Sequence, residues 1–336
     1  MDVSIILVNY KSCQLVLNCI ESIYRQTVQH SFEIILVDND SNDDCEKIVL
    51  AKYPKVRFLS LDYNAGFARA NNAGIEISSG EYILLLNPDT IVLDGAIDKS
   101  IRLLKQHPEA VGCGVQLLNS DGSNQISGAY FIKGRLNILL LLPYLGKLIR
   151  YFGYRFNSTV PSVQNISGTA EVDWIVGAYM MVRRSVLKKS GLLDNDFFMY
   201  AEEIEWCGRL RRFGKLLLFA EPKVLHLWGG SGTEHFGNME NGNSNSLWSK
   251  KGTQILVSYI LSVRKQYGIG WFLLMVGIHI FEIPVFFFCL FFEKIMNVGK
   301  ATYKWKNISD YCKTIAILLQ YFLKMLSNKP YFYKVK

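Results

Sequence analysis

The first third of the chain alternates short apolar runs with amphipathic helical segments, and this alternation restricts the fold more than any other feature. Five runs are predicted to be buried strands because they are short, apolar and rich in β-branched residues. Between them, apolar residues at three- and four-residue spacing predict four helices. An α/β fold is therefore expected, with an open, doubly wound, mostly parallel sheet flanked by helices. The predicted strands cover 3–8, 33–37, 56–59, 82–86 and 111–117, and the predicted helices cover about 13–26, 43–52, 67–78 and 94–106.

The pattern is less regular after residue 118. Residues 119–171 mix Gly, Ser and Asn with an apolar burst at 138–142, and an insertion of this length inside a compact domain is usually functional. Regular elements resume with a predicted strand, a helix and a second strand, followed by a polar loop. We expect one domain over 1–250, with halves at about 1–118 and 170–250. The later predicted elements are a strand at 172–183, a helix at about 202–213, a strand at 215–219 and the loop at 229–246.

The last quarter of the chain has the composition of a segment that associates with membranes. Residues 268–295 are almost wholly apolar, and about 20 such residues can cross a bilayer. Glu282 and Pro284 interrupt this stretch, and a carboxylate at the bilayer centre costs about 2.5 kcal/mol or more. The segment can therefore cross the membrane, dip into it or lie on it. Residues 251–336 are predicted to be a helical membrane-associating segment with a basic tail.

The net charge and the spacing of the cysteines limit the kinds of partner and of site that the chain can have. The net charge of +8 would suit nucleic acid, an anionic membrane or a phosphorylated ligand. Residues 293–336 hold nine Lys against one Glu and one Asp, and their position behind the apolar stretch favours a membrane over nucleic acid and predicts a cytoplasmic flank. The seven Cys are odd in number and never spaced C-x-x-C, so neither a zinc site nor a disulfide framework is expected. The N-terminal residues do not resemble a signal peptide, which predicts a cytoplasmic location.

Polar residues follow the first two predicted strands. Asn9 and Tyr10 end the first, and Asp38 and Asn39 end the second. Ligands of open α/β sheets bind beyond the carboxyl ends of the strands. Asp38 can therefore accept a hydrogen bond from a pyrimidine N–H, and Tyr10 can stack on a base. The structural alternative is an Asx-turn with a helix cap.

Three further groups can carry chemistry. Asp89 follows a buried strand and can ligate a divalent cation that also binds a diphosphate, although Asn-Pro-Asp-Thr is also ordinary turn sequence. His226 ends an apolar strand, where a lone imidazole is usually a core residue, but beside Asp89 it can join a Mn²⁺ site. Glu202 and Glu203 begin a helix behind an aromatic run. They suit either a helix N-terminus or a general base, since crowded carboxylates raise a pKa.

Taken together and in this order, these segments resemble the inverting family 2 glycosyltransferases, in particular the rhamnosyltransferase-like branch of bacterial surface-polysaccharide biosynthesis. The resemblance extends over about residues 3–231. It implies a GT-A fold, which is an open, Rossmann-like sheet with a nucleotide-sugar half and an acceptor half. The segments that carry it are 4–10, 37–41, 64–74, 87–89, 177–178, 198–203 and His226.

The resemblance also implies roles for individual residues. Asp38 would recognise the pyrimidine, Asp89 and His226 would bind Mg²⁺ or Mn²⁺, and the helix start would supply the base. Relatives usually carry Glu-Asp at that start, so Glu203 takes the place of the Asp and Glu202 is the alternative base. Asn87 stands where many relatives carry the first Asp of a D-x-D motif. The remaining implied substrate contacts are Asn9, Tyr10, Asn39, Asn64, Gly66, Phe67, Asn71, Asp173, Trp174 and Gly177.

The implied reaction transfers a sugar from a nucleotide-diphosphate donor, with dTDP-L-rhamnose the best match and UDP-hexoses open. The acceptor would be a saccharide or a polyprenyl-diphosphate-linked glycan of O-antigen or capsule synthesis, at the cytoplasmic face of the bacterial inner membrane. A non-catalytic nucleotide-sugar binding module is the alternative. A dehydrogenase is excluded because the first strand is not followed by G-x-G-x-x-G, and the phosphate loop of a nucleotidyltransferase is not visible.

Overall fold

The computed structural model describes residues 1–131, 138–155, 162–227, 247–296 and 303–335. The chain forms two compact units. The first contains Met1–Tyr130, Pro161–Phe198 and Glu202–Asn238, and the second contains Phe131–Val160, Met199–Ala201 and Met239–Lys336. The apolar burst at 138–142 therefore belongs to the second unit, whereas the sequence pattern placed it inside the first.

Twelve strands are present among the described residues. They are β1 (Val3–Asn9), β2 (Phe32–Asp38), β3 (Arg57–Ser60), β4 (Tyr82–Leu86), β5 (Thr90–Leu93), β6 (Ala110–Leu118), β7 (Gly128–Ala129), β8 (Ser162–Val163), β9 (Thr169–Val172), β10 (Trp174–Ile175), β11 (Tyr179–Arg183) and β12 (Lys215–His226). The helices described are α1 (Cys13–Gln26), α2 (Cys45–Lys52), α3 (Gly66–Glu76), α4 (Ala96–Gln106), α5 (Leu145–Arg155), α6 (Arg184–Ser190), α7 (Glu202–Leu210), α8 (Lys250–Ile295) and α9 (Trp305–Leu326).

The first unit is built on a mixed, mostly parallel sheet in the order β3-β2-β1-β4-β11-β6-β12-β5, with β9 paired to β12. Strands β1 to β4 run parallel, and β11 is antiparallel to both of its neighbours. The apolar runs are buried because the core residues of these strands pack with those of α1 and α4. The predicted open α/β sheet is therefore confirmed.

Some predicted bounds were wrong. The single strand expected at 172–183 is two strands, because β10 pairs with β7 in a small second sheet and β11 returns to the main sheet. The short strand expected at 215–219 continues to His226 after a register shift between Phe219 and Lys223. Strand β5 was missed, since its four residues follow a Pro-Asp turn and are too few to show alternation.

The second unit contains the predicted apolar segment within α8. Gly268 has φ +85°, a value that breaks the helix there, so residues 269–295 form a separate helical segment. This segment runs antiparallel to α9, since Phe272 stacks on Phe322 and Phe287 contacts Trp305. By length and composition alone, α8 is the helix among the described residues that could cross a membrane.

Candidate functional site

The carboxyl ends of β1 and β2 meet at one edge of the sheet. Their parallel register places Asn9 opposite Asp38, and the Asn9 amide donates to Asp38 Oδ1 at 2.8 Å. Asp38 Oδ2 accepts from the Ser41 N–H at 3.0 Å, while Asn9 Oδ1 accepts from the Ser12 N–H at 3.1 Å. Asp38 therefore holds the turn that follows β2, but through the N–H three residues on rather than through the two-residue spacing of an Asx-turn, and the N-cap of α2 is Asp44. Each carboxylate oxygen of Asp38 can still accept a second hydrogen bond. Recognition of a pyrimidine by Asp38 is therefore possible in this geometry and stays a prediction.

A second set of hydrogen bonds joins the end of β2 to the start of α3. Asn39 Oδ1 accepts from the Ala65 N–H at 2.8 Å, and the Asn39 amide donates to Asn64 Oδ1 at 3.2 Å. Asn39 and Asn64, both predicted to line the pocket, therefore hold the start of α3 against the end of β2. Asn71 is buried and donates to the carbonyl of Phe67 at 2.9 Å, so its amide N–H faces its own helix. Tyr10 has the Lys11 ammonium 5.4 Å from its ring centroid.

Gly66 brings the start of α3 against the segment that precedes the Glu202–Glu203 pair. Its φ is +72°, and an added Cβ would lie 2.1 Å from the carbonyl oxygen of Phe198. The neighbouring Phe67 N–H donates to that same carbonyl at 2.8 Å. Only glycine fits such an approach. Two motifs that lie far apart in the sequence are therefore joined through the main chain.

We expect Gly66→Ala to destabilise the protein by about 3 kcal/mol or more, because left-handed strain adds to a direct clash. The urea midpoint of unfolding measures this loss. Gly122→Ala is the matched control, since Gly122 also has a positive φ of +81° but nothing lies within 4 Å of the place that an added methyl group would occupy. Equal losses for both variants would contradict the close-approach explanation.

The antiparallel pairing of β5 and β12 brings Asp89 and His226 together. His226 lies opposite Thr90, and the Leu227 N–H donates to the carbonyl of Asp89 at 2.9 Å. His226 Nε2 then lies 3.5 Å from Asp89 Oδ1, with side chains 12% and 3% exposed. The two residues predicted to share a metal are therefore neighbours, although 137 positions apart in the chain.

Gln125, which sequence reasoning missed, fixes the orientation of His226. Its amide nitrogen donates to the His226 carbonyl at 2.7 Å. Its Oε1 therefore faces His226 Nδ1, at 3.0 Å. Since Oε1 can only accept, Nδ1 carries the hydrogen, and in the neutral ring Nε2 presents a lone pair towards Asp89. A partner that orients a histidine in this way is typical of metal ligands.

The chemistry of this pair fits a divalent cation. Asp89 Oδ1 is buried with no hydrogen-bond partner, and such an atom is costly unless a cation or proton satisfies it. Among the described residues, no three or more His, Cys, Asp or Glu side chains lie close enough together to hold a metal ion by themselves. The remaining ligands would have to come from a bound diphosphate or water.

Helix α7 holds the two carboxylates of the predicted base. Trp206 is fully buried and donates through Nε1 to the carbonyl of Gly191 at 2.9 Å. The Arg209 guanidinium bonds Glu205 Oε2 at 2.7 Å and the carbonyl of Leu192 at 2.7 Å. These contacts fix the helix, and Glu205 serves structure rather than chemistry.

Glu202 and Glu203 differ in environment. Burial, and then the charge of Glu203, raise the pKa of Glu202 well above its ordinary value. Glu203 is less buried than Glu202. A methyl group at Gly177 would lie 3.7 Å from Glu203 Cβ and 3.8 Å from the Phe67 ring. The missing side chain of Gly177 therefore leaves space between Glu203 and Phe67.

The other predicted contacts do not all lie at this edge of the sheet. Asn87 follows the carboxyl end of β4, whereas Asp173 follows Val172, which pairs with Leu216 near the amino end of β12. Asp173 Oδ1 forms a 2.5 Å ion pair with Arg211 Nη2, a partner that no sequence pattern indicated. Trp174 is half-buried in β10. Asn87 bonds through its main chain, donating to the carbonyl of Ala178 at 3.0 Å and accepting from the Thr90 hydroxyl at 2.7 Å. No role of these residues in substrate binding follows from these contacts alone.

Known proteins with similar sequences include two enzymes of glycan assembly. The chain is 27% identical over 208 residues to N-acetylglucosaminyl-diphospho-decaprenol L-rhamnosyltransferase of Mycobacterium tuberculosis, which covers 57% of this chain and 66% of that protein. It is 29% identical over 216 residues to the low-salt glycan biosynthesis hexosyltransferase Agl10 of Haloferax volcanii, covering 63% and 62%. The chain thus spans just under two thirds of the length of these relatives.

The fold is also found in a solved structure. A crystal structure of GalNAc-T7 with UDP, GalNAc and Mn²⁺ superposes with a TM-score of 0.53 at 15% identity, over 78% of this chain and 48% of that one. At this identity the likeness concerns the fold alone, which is the GT-A fold. The family model described as glycosyl transferase family 2 matches residues 4–191, more than half of the chain. Fold and sequence therefore agree that this chain belongs to glycosyl transferase family 2.

Proposed function

We propose that the protein is a metal-dependent, inverting glycosyltransferase that moves a sugar from a nucleotide-diphosphate donor to a glycan acceptor. The observation that carries the proposal is the buried, unsatisfied Asp89 Oδ1, held 3.5 Å from the oriented Nε2 of His226. Family membership and the polar ends of β1 and β2 support the same conclusion.

In the proposed reaction, the acceptor oxygen attacks the anomeric carbon as the bond from that carbon to the diphosphate oxygen breaks. The leaving group departs with the electron pair from the opposite face, so the configuration inverts. Asp89 and His226 would hold Mg²⁺ or Mn²⁺, which offsets the negative charge that develops on the diphosphate. Asp38 and Tyr10 would bind the base, and Asn64, Gly66 and Phe67 would shape the pocket around the nucleotide.

Glu203 is the residue that we assign as the base. A general base must be ionised before it accepts the acceptor hydroxyl proton. The raised pKa of Glu202 favours the protonated form of that neighbour. Glu203 is less buried and borders the space left by Gly177. The proton would therefore move from the acceptor hydroxyl to Glu203, and Glu202 would help by remaining neutral.

The names of the relatives support the proposed substrates. The mycobacterial relative is named as an L-rhamnosyltransferase acting on a decaprenol-diphosphate-linked sugar, which favours dTDP-L-rhamnose as donor and a polyprenyl-diphosphate-linked glycan as acceptor. Such an acceptor lies in the membrane, and α8 is apolar enough to associate with it. We place the reaction at the cytoplasmic face of the inner membrane, in O-antigen or capsule-type synthesis.

The test is calorimetric binding of dTDP-L-rhamnose, UDP-glucose, UDP-galactose and GDP-mannose to the detergent-solubilised full chain, with and without Mn²⁺. We expect one pyrimidine donor to bind about tenfold or more tightly with Mn²⁺. Binding of GDP-mannose alone would contradict the role of Asp38, and binding of none would contradict the proposal. Release of nucleoside diphosphate in the presence of a lipid-linked acceptor distinguishes the enzyme from a non-catalytic binding module.

A further inference from the structure

Along residues 269–295 of α8, in the second unit, polar side chains are buried and large apolar side chains are exposed. The inward face is fully buried and includes the polar side chains of His279 and Glu282. The outward face carries Phe281, Phe288 and Phe292, which are 61%, 56% and 59% exposed. Soluble proteins rarely expose an apolar patch of this extent without a partner. The exposed face therefore requires an apolar surrounding.

Helix α5 carries further exposed aromatic side chains of the second unit. Its start is held by Glu282, which accepts the N–H groups of Tyr144 at 2.7 Å and Leu145 at 3.3 Å. The Tyr144 hydroxyl donates to Glu293 at 2.9 Å. Beyond this start, α5 exposes Tyr151 and Phe152. The carboxylate that interrupts the apolar stretch is thus bound to backbone amides and does not face lipid.

The positions of the charged side chains disfavour a crossing of the bilayer. His279 Nδ1 lies 3.3 Å from the Tyr311 hydroxyl, so the Lys313 side chain, 73% exposed, is near the level of His279. That level is about 24 Å from the end of α8 at Ile295, close to the middle of the segment. Arg150 of α5 is also exposed and follows a helix start fixed at Glu282. A crossing would bury Lys313 and its partner Asp310 near the bilayer centre, where charges are costly.

We propose that α5 and residues 269–295 lie in the plane of an anionic membrane and bury their exposed aromatic side chains in one leaflet. The exposed cations Arg150 and Lys294 complement anionic head groups, as expected for an in-plane amphipathic surface. The inference deepens the membrane association proposed above and rests on it, because it states which residues enter the lipid and that none of them crosses.

The first test is flotation of the full chain with phosphatidylcholine vesicles, with and without phosphatidylglycerol. We expect Phe288→Ser with Phe292→Ser to weaken binding about tenfold or more. Val28→Ser with Ile48→Ser, which removes exposed apolar side chains of the first unit, should leave binding unchanged. Arg150→Glu with Lys294→Glu should remove the gain from phosphatidylglycerol, whereas Lys188→Glu with Lys189→Glu, exposed on α6, should not.

The second test is labelling of Met296→Cys in cells and in inverted membrane vesicles with a membrane-impermeant maleimide, over the wild-type background. Labelling in inverted vesicles alone is expected, and labelling from outside intact cells would overturn the in-plane arrangement. Vesicle binding unchanged by the Phe pair, or a change in oligomeric state in its place, would overturn the lipid assignment. Donor binding by calorimetry, expected to be unchanged in every variant, keeps these outcomes separate from a failure of the proposed activity.

Discussion

Turnover is expected to fall by about a hundredfold to ten-thousandfold in Glu203→Gln, with donor affinity unchanged. The range is the usual contribution of a positioned general base. The amide of Gln cannot accept the acceptor hydroxyl proton, while it keeps nearly the size of the carboxyl group beside Gly177. Steady-state rates with a lipid-linked acceptor, together with donor calorimetry, measure the two quantities separately.

Glu202→Gln is the matched control for this experiment. The pKa of Glu202 is raised by burial and by Glu203, which favours its neutral form, so we expect a neutral amide to replace it at little cost to turnover. The assignment of the base would be reversed if Glu202→Gln lost as much activity as Glu203→Gln. It would be abandoned if neither variant lost activity.

Metal-dependent donor binding is expected to disappear in Asp89→Asn, and turnover to fall roughly a thousandfold, since a bound cation supplies several kcal/mol of transition-state stabilisation. Asn keeps the shape of the side chain but removes the charge that a divalent cation requires. Titration of Mn²⁺ followed by electron paramagnetic resonance measures the ion directly, without relying on activity.

Asp94→Asn provides the control, because the Asp94 side chain is 85% exposed and paired with Lys99. It makes the same chemical change five positions along the chain and should leave Mn²⁺ affinity as in the wild type. Retention of tight Mn²⁺ binding by Asp89→Asn would show that the ion, if it acts at all, binds elsewhere.

The parallel half of the sheet was predictable from the sequence, whereas the site depended on pairings that the sequence does not reveal. The strands β1 to β4 follow one another along the chain, and each can be recognised from its own apolar run. Asp89 and His226 meet only because β5 pairs with β12, and β5 is too short to be recognised. Local residue types suggested both ligands, but the distance between them is a property of the topology.

The environment of each carboxylate was beyond sequence reasoning for a similar reason. Glu202 and Glu203 are adjacent and chemically identical, so the sequence left the base open. Burial of the first, which depends on packing around α7, separates them. In the same way, the insertion at 119–171 looked irregular because its ordered parts serve two different units, with Gln125 beside His226 and α5 beside Glu282.

The two hydrogen bonds between Gln125 and His226, one in each direction, have a consequence for the entropy of ion binding. Because one amide holds both the carbonyl and the ring, the imidazole loses its rotational freedom when the chain folds rather than when the ion arrives. Ordering a side chain on binding typically costs about 0.5–1.5 kcal/mol. If the proposed site binds a cation, the protein would gain affinity for it from a residue that is not a ligand, and exchange at position 125 would tune that affinity while both proposed ligands remain in place.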